Sequence, residues 1–160
     1  MGIMIIKHSL NYTREEQEVN YMYKALDIAK YVVNKCTVEE HPVSNLQLQK
    51  ILYYIQKTFL DSDMIAFEDE IEAWQFGPVV PDVYYKYCGF GSMSIRMKYN
   101  VNIERKYANI IDPIVKVKRI LDPWDLVEDT HKPGKAWAQI YKGGLGNHHV
   151  IPKSLIKEIG

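Results

Sequence analysis

The chain has 160 residues, enough to bury a core of its own, and 20 Lys+Arg stand against 20 Asp+Glu, so the formal net charge is zero. A neutral chain sets up no global field for phosphates, which argues against a nucleic-acid partner; the two cysteines, Cys36 and Cys88, fit neither a metal spacing nor a disulfide framework. No apolar run reaches bilayer-spanning length and Ile3 to Ile6 is too short for a signal peptide, so a single domain over residues 1–160, cytoplasmic and reduced, is expected.

Residues 1–12 show little periodicity beyond Met4-Ile5-Ile6 and read as a flexible arm or an edge strand. Thr13 with Glu16 fits a capping box, and Tyr21, Ala25, Ile28, Ala29, Val32, Val33 and Cys36 recur at helical spacing, predicting a first long helix ending near Asn34 or Lys35. A short connection over residues 37–42 favours antiparallel pairing with the next helix. Pro42 keeps the chain extended, and Ser44 with Gln47 fits a second capping box. Leu48, Ile51, Leu52, Ile55 and Phe59 form one apolar stripe, with Gln49, Lys50, Gln56 and Lys57 on the other side.

Asp61-Ser62-Asp63 is turn chemistry. From Glu70 the pattern alternates, with Ile71, Ala73 and Gln75 opposite Glu72, Trp74 and Phe76, which predicts a short strand. Gly77-Pro78-Val79-Val80-Pro81 reads as a rigid turn leaving that strand, because two prolines fix φ and remove two donors. Pro81 suits the first turn of a helix carrying Val83, Tyr84 and Tyr87, closed by Gly89 and Gly91.

Residues 94–99 alternate weakly, as a small excursion or strand pair would. Tyr107, Ile110, Ile111, Ile114 and Val115 have a helical period broken at Asp112-Pro113, so a new helix is expected from Pro113, capped by Asp112 and running to about Leu121. Asp122-Pro123 repeats the device for a short helix through Leu126 and Val127. A turn at Thr130-His131-Lys132-Pro133-Gly134 precedes a short helix with Trp137, Ile140 and Tyr141. The glycines at 143, 144 and 146 form a loop lacking the Lys and Ser/Thr of a phosphate loop. Val150-Ile151 adds a short strand, and Pro152 begins a last helix with Leu155, Ile156 and Ile159. The fold class expected is mainly α (α+β), a compact helical domain with a small β element.

The segments LQLQKILYY and EIEAWQFGPVVPDVY, with Leu126, Thr130-His131 and Trp137 further on, resemble the Panacea-domain family of phage-associated and SocA-like bacterial antitoxins, over roughly Tyr23 to Ile159. Leu48, Gln49, Lys50, Tyr53, Tyr54, Gly77, Pro78, Val80, Pro81, Thr130, His131 and Trp137 are then motif and structural residues; Ala136 stands where the family has proline before the tryptophan. The resemblance implies an antitoxin-like protein-binding module that neutralises a cognate toxin protein. The toxin would be the product of a neighbouring gene on a prophage or mobile element, and the module would have no enzymatic activity and no cofactor. A proteolytic adaptor or phage regulatory protein acting on host proteins is the alternative.

The residues themselves suggest a docking surface. Twelve tyrosines are many for this length, and Tyr and Trp combine apolar area with a polar tip. Glu70, Glu72, Trp74, Tyr84 and Tyr85 are the partner-binding candidates, beside a turn stiffened by Pro78 and Pro81 that loses little entropy on docking. Trp74 and Tyr84 are expected to pack into the core, Tyr85 and Tyr53 to be exposed, and the acidic run from Glu68 to Glu72 to be a solvated edge or part of the surface. His131 reads as a loop-tying histidine before it reads as an acid or base with Glu72. His148-His149 lack the companions of a metal site. The Arg96/Lys98/Arg105/Lys106 and Lys116/Lys118/Arg119 clusters read as solvated. No catalytic or metal-binding residue is assigned.

Overall fold

The computed structural model describes residues 23–160, which form seven α-helices and one three-stranded antiparallel sheet. In chain order the elements are α1 (Ala25–Val38), α2 (Asn45–Asp61), β1 (Ile71–Trp74), β2 (Gly77–Val79), α3 (Pro81–Tyr87), α4 (Arg105–Lys118), α5 (Pro123–Thr130), α6 (Ala136–Tyr141), β3 (His149–Ile151) and α7 (Lys153–Ile159). The mainly α architecture with a small β element is as the sequence predicts. The capping box at Thr13 and the residue 1–12 arm lie outside the described residues.

The axis of the fold is α2. Its start is the predicted capping box: Ser44 Oγ accepts from the Gln47 amide at 3.3 Å and Gln47 Oε1 accepts from the Ser44 amide at 2.9 Å. Leu48, Ile51, Leu52, Ile55 and Phe59 are fully buried, as their stripe requires. The polar side is not solvated, however: Gln49, Lys50 and Gln56 are buried too. The reason is that α2 packs against α1, α3, α4, α5, α7 and β2, leaving little of its surface for water. The polar side chains are matched to backbone groups instead. Gln56 donates to the Phe67 carbonyl and accepts from the Ala66 amide, both at 2.9 Å, holding the loop that follows the helix. Gln49 accepts from the Val80 amide at 2.9 Å and donates to Asn45 Oδ1 at 3.0 Å.

Helix α1 runs to Val38, beyond the expected end, because Thr37 is tied to a distant segment: its hydroxyl accepts from the Met97 amide at 3.3 Å. Residues 94–99 make no strand pair; Ser94 bridges Ser44, and Ile95, fully buried, bonds the Val43 carbonyl at 2.8 Å.

The Gly-Pro segment also departs from expectation. Residues Gly77–Val79 are a strand, not only a turn, and pair with β1 in the register Glu72↔Val79, Ala73↔Pro78 and Trp74↔Gly77. Gln75 and Phe76 form the tip, and Gly77 supplies the φ of +112° that closes it. Pro78 is tolerated because β2 is an edge strand, where a missing donor leaves no ladder bond unmade. On its other side β1 pairs with β3, Ala73↔His149 and Ile71↔Ile151, so the sheet order is β2-β1-β3.

Helix α4 overrides its proline. Pro113 lies inside Arg105–Lys118 and Asp112 is a helical residue, not a cap. A mid-helix proline costs about 3 kcal/mol locally. Tertiary contacts offset it: Ile111 and Val115 are fully buried and the Tyr31 hydroxyl donates to Asp112 Oδ1 at 2.7 Å. At α5 the expected cap is present, Asp122 Oδ1 accepting from the Trp124 amide at 2.8 Å. Among the described residues no helix is long and apolar enough to cross a membrane.

Candidate functional site: an aromatic groove over a buried lysine

The β1–β2 hairpin and the start of α3 lean over α2 and leave a groove of about 510 Å³, within the range of small-ligand and anchor-residue sites. Asn45, Gln49 and Lys50 of α2 form its floor, Trp74, Phe76 and Tyr84 its walls, and Trp124 closes one end. Phe76 and Trp124 meet edge to face at 5.4 Å and are both well exposed, at 47% and 57%. Asn147 and His148 line it as well, from the loop before β3.

Trp74 organises the aromatic wall. Tyr84 meets it edge-on at 4.9 Å, Tyr85 lies tilted at 6.1 Å, and the His148 imidazole stacks on it at 4.3 Å with 12° between planes. His148 holds this position with a left-handed φ of +67°, its amide bonded to the Ala73 carbonyl at 2.7 Å. Glu72 Oε1 accepts from the Trp74 indole at 3.1 Å. Behind the strand, the Trp137 indole donates to the Trp74 carbonyl at 2.9 Å, linking the C-terminal motif to the central one.

Lys50 is the electrostatic oddity. Its side chain is fully buried and its ammonium donates to the Pro78 carbonyl at 3.3 Å. Burial pushes it down to about 7, because removal from water penalises the charged form. Gly77 is tied to this lysine: a Cβ there would lie 2.6 Å from Lys50 Cε and 2.9 Å from Thr130 Oγ1. Thr130 is buried and donates to the Val127 carbonyl at 2.9 Å. His131 stacks on Trp137 at 3.6 Å, nearly parallel, and Trp137 on Tyr141 at 4.5 Å. Its Nε2 is buried without a hydrogen bond, and burial, with the charge of Lys50, lowers its pKa. Among the described residues no carboxylate bonds to its ring, so the geometry is that of a packed histidine.

The partner-binding candidates are therefore brought together in part. Trp74, Tyr84 and Tyr85 are mutual neighbours, the first two half-buried and Tyr85 62% exposed. Glu72 touches Trp74, while Glu70 is exposed away from the groove lining. The rest of the acidic run does internal duty: Asp69 Oδ1 accepts from the Ala25 amide at 2.8 Å, and Glu68 pairs with Lys24 at 3.0 Å. Tyr53 is buried, not exposed, and its phenol is pushed up to about 12 by burial. Tyr54 donates to Asp129. Arg119 is likewise no part of a solvated basic face, being nearly buried and paired with Glu39 at 3.4 Å. Leu48, Val80 and Pro81 serve packing and helix initiation. Sequence reasoning missed Trp124 and the role of His148. A tryptophan placed on the solvent side of a capped helix start was the available signal for the former.

The hairpin, its buried lysine and the His131–Trp137 stack are joined into one unit, and the sequence of that unit defines the class. The chain belongs to the antitoxin SocA-like, Panacea domain family, whose sequence profile matches residues 48–138. It is 35% identical over 91 residues to the protein named Antitoxin SocA from Caulobacter vibrioides (strain NA1000 / CB15N), an alignment covering 56% of this chain and 44% of that one. The match thus spans less than half the length of that relative. No solved structure matches the chain.

Proposed function

We propose that this chain is an antitoxin: a non-enzymatic protein-binding module that neutralises a toxin protein encoded by a neighbouring gene, carried on a prophage or mobile element. Family membership and the name of the SocA relative support the reading. The observation that carries it is the groove, where Phe76 and Trp124 expose large aromatic surface beside a hairpin fixed by Gly77 and Pro78. Such rings are the side chains that dominate protein interfaces, and a fixed scaffold loses little entropy on docking. Trp74, Tyr84, Tyr85 and Glu72 extend the surface beside the groove, and Glu70, exposed just before β1, adds a carboxylate outside its lining.

The test is growth of cells expressing the adjacent open reading frame with and without this chain. Arrest relieved when the chain is present, with the two proteins co-purifying, is expected. The Phe76→Ala/Trp124→Ala double variant should lose protection and co-purification while keeping its far-UV circular dichroism. Protection that survives the double variant would move the docking surface elsewhere, and a harmless neighbour would remove the pairing.

A further inference from the structure

Lys50 is buried without a counter-charge among the described residues. An ammonium has three hydrogens to donate, and Lys50 uses one, on a carbonyl. Among the described residues no carboxylate lies within ion-pair distance, and the titratable group coupled to it is His131, a second base. The other polar side chains of the groove floor are satisfied internally: Gln49 with Asn45 and the Val80 amide, Asn45 with the Tyr84 carbonyl at 3.1 Å. Lys50 is therefore, among the described residues, the floor residue with donors left over, and it lies fully buried at the base of the groove lining. An apolar residue of similar volume would lie there at lower cost in free energy, since an unpaired buried cation is penalised and a methionine is not. The cover over the lysine is thin. Residue 77 is a glycine whose missing Cβ would fall 3.1 Å from the lysine nitrogen, so the hairpin backbone runs directly against the end of the lysine side chain.

We propose that the groove docks a partner segment carrying an acidic side chain flanked by apolar ones, the carboxylate countering Lys50 while the apolar neighbours cover Phe76 and Trp124. This rests on the docking reading above and names the chemistry of its partner. Lys50 is the recognition element: the partner brings a counter-charge that the described residues do not supply, and so holds the lysine in its charged form.

The experiment uses the full chain and two blocked peptides as probes, acetyl-Leu-Glu-Phe-amide and its isostere acetyl-Leu-Gln-Phe-amide, followed by NMR at the tryptophan indoles and the Lys50 Cε. The glutamate peptide is expected to bind at least about tenfold more tightly, about 1.4 kcal/mol, and to raise the pH at which the Lys50 Cε resonance titrates. In Lys50→Met the two peptides should bind alike. Equal affinities in the unsubstituted chain, no binding of either at millimolar concentration, or a glutamate preference that persists in Lys50→Met would each overturn the proposal. The two readings fail separately. If the Phe76→Ala/Trp124→Ala variant loses protection but the peptides are not discriminated, docking stands and the acid falls; if discrimination holds but protection survives, the lysine site stands and the toxin binds elsewhere.

Discussion

Replacing Lys50 by methionine is the sharpest test of how the hairpin is held. An unfolded lysine titrates near 10.4, whereas burial brings the folded one to about 7. Between those values the unfolded state binds more protons, so stability rises with pH, and the part lost on acidification is already large at neutrality. The shift corresponds to roughly 4 kcal/mol at pH 7 relative to a fully deprotonated lysine, taking 1.36 kcal/mol per pH unit. Methionine removes that penalty but leaves the Pro78 carbonyl without its donor, which costs about 1–3 kcal/mol. The variant should therefore be more stable at pH 7 by roughly 1–3 kcal/mol.

The slope discriminates better than the offset. Integrating the folded titration, the unsubstituted chain should gain on the order of 1–2 kcal/mol between about pH 7 and about pH 8.5, and Lys50→Met almost none. Urea unfolding midpoints at the two pH values measure this. The window stops there because buried groups of the opposite sense lie above it: burial raises the Cys36 thiol, and folding then loses stability as the unfolded thiol ionises. Parallel slopes for the two proteins would refute the neutral buried lysine.

Other substitutions probe the same unit. Gly77→Ala forces a Cβ against Lys50 and Thr130 at a φ of +112°. It should lower the melting temperature by an amount equivalent to about 2 kcal/mol or more, since neither the strain nor the clash can relax without moving the hairpin. Ser44→Ala removes one half of the α2 capping box and should cost about 1 kcal/mol in denaturant unfolding. His131 has a folded pKa below its unfolded value. Its contribution is therefore present above the unfolded pKa and lost as pH falls below about 6.5. His131→Phe, which can keep the stack on Trp137, should flatten that acid-side slope in a thermal melt series.

How much of this was legible in the sequence depended on whether local or distant partners decide. The α2 capping box and the Asp122 cap were readable because each bonds within three residues. The Ile71/Ala73 alternation was readable because one face of β1 is buried. The Pro113 helix was not, since what holds it is a tyrosine 81 residues away and the buried faces of Ile111 and Val115. Nor was β2, whose proline argues for a turn until β1 is placed beside it. The same holds for the site. Trp74, Tyr84 and Tyr85 stand close in the chain and their rings are neighbours, but Trp124 reaches the groove from 50 residues on, against Phe76, and the burial of Lys50 follows from five helices and a strand closing around α2. A polar residue on a helix surrounded by partners cannot be told from a solvated one by periodicity.

The outer edge of β2 carries a consequence for how this chain can associate with anything. A free strand edge invites another strand to add to it, through alternating donors and acceptors. Here Pro78 has no amide hydrogen, its carbonyl is taken by Lys50, and the amide of Val80 is taken by Gln49. The two side chains that reach up from α2 have consumed the hydrogen bonds a visiting strand would need. Extension of the sheet at this edge, by a second copy during folding or by an extended peptide, is closed off, so what docks beside it must be held by side chains.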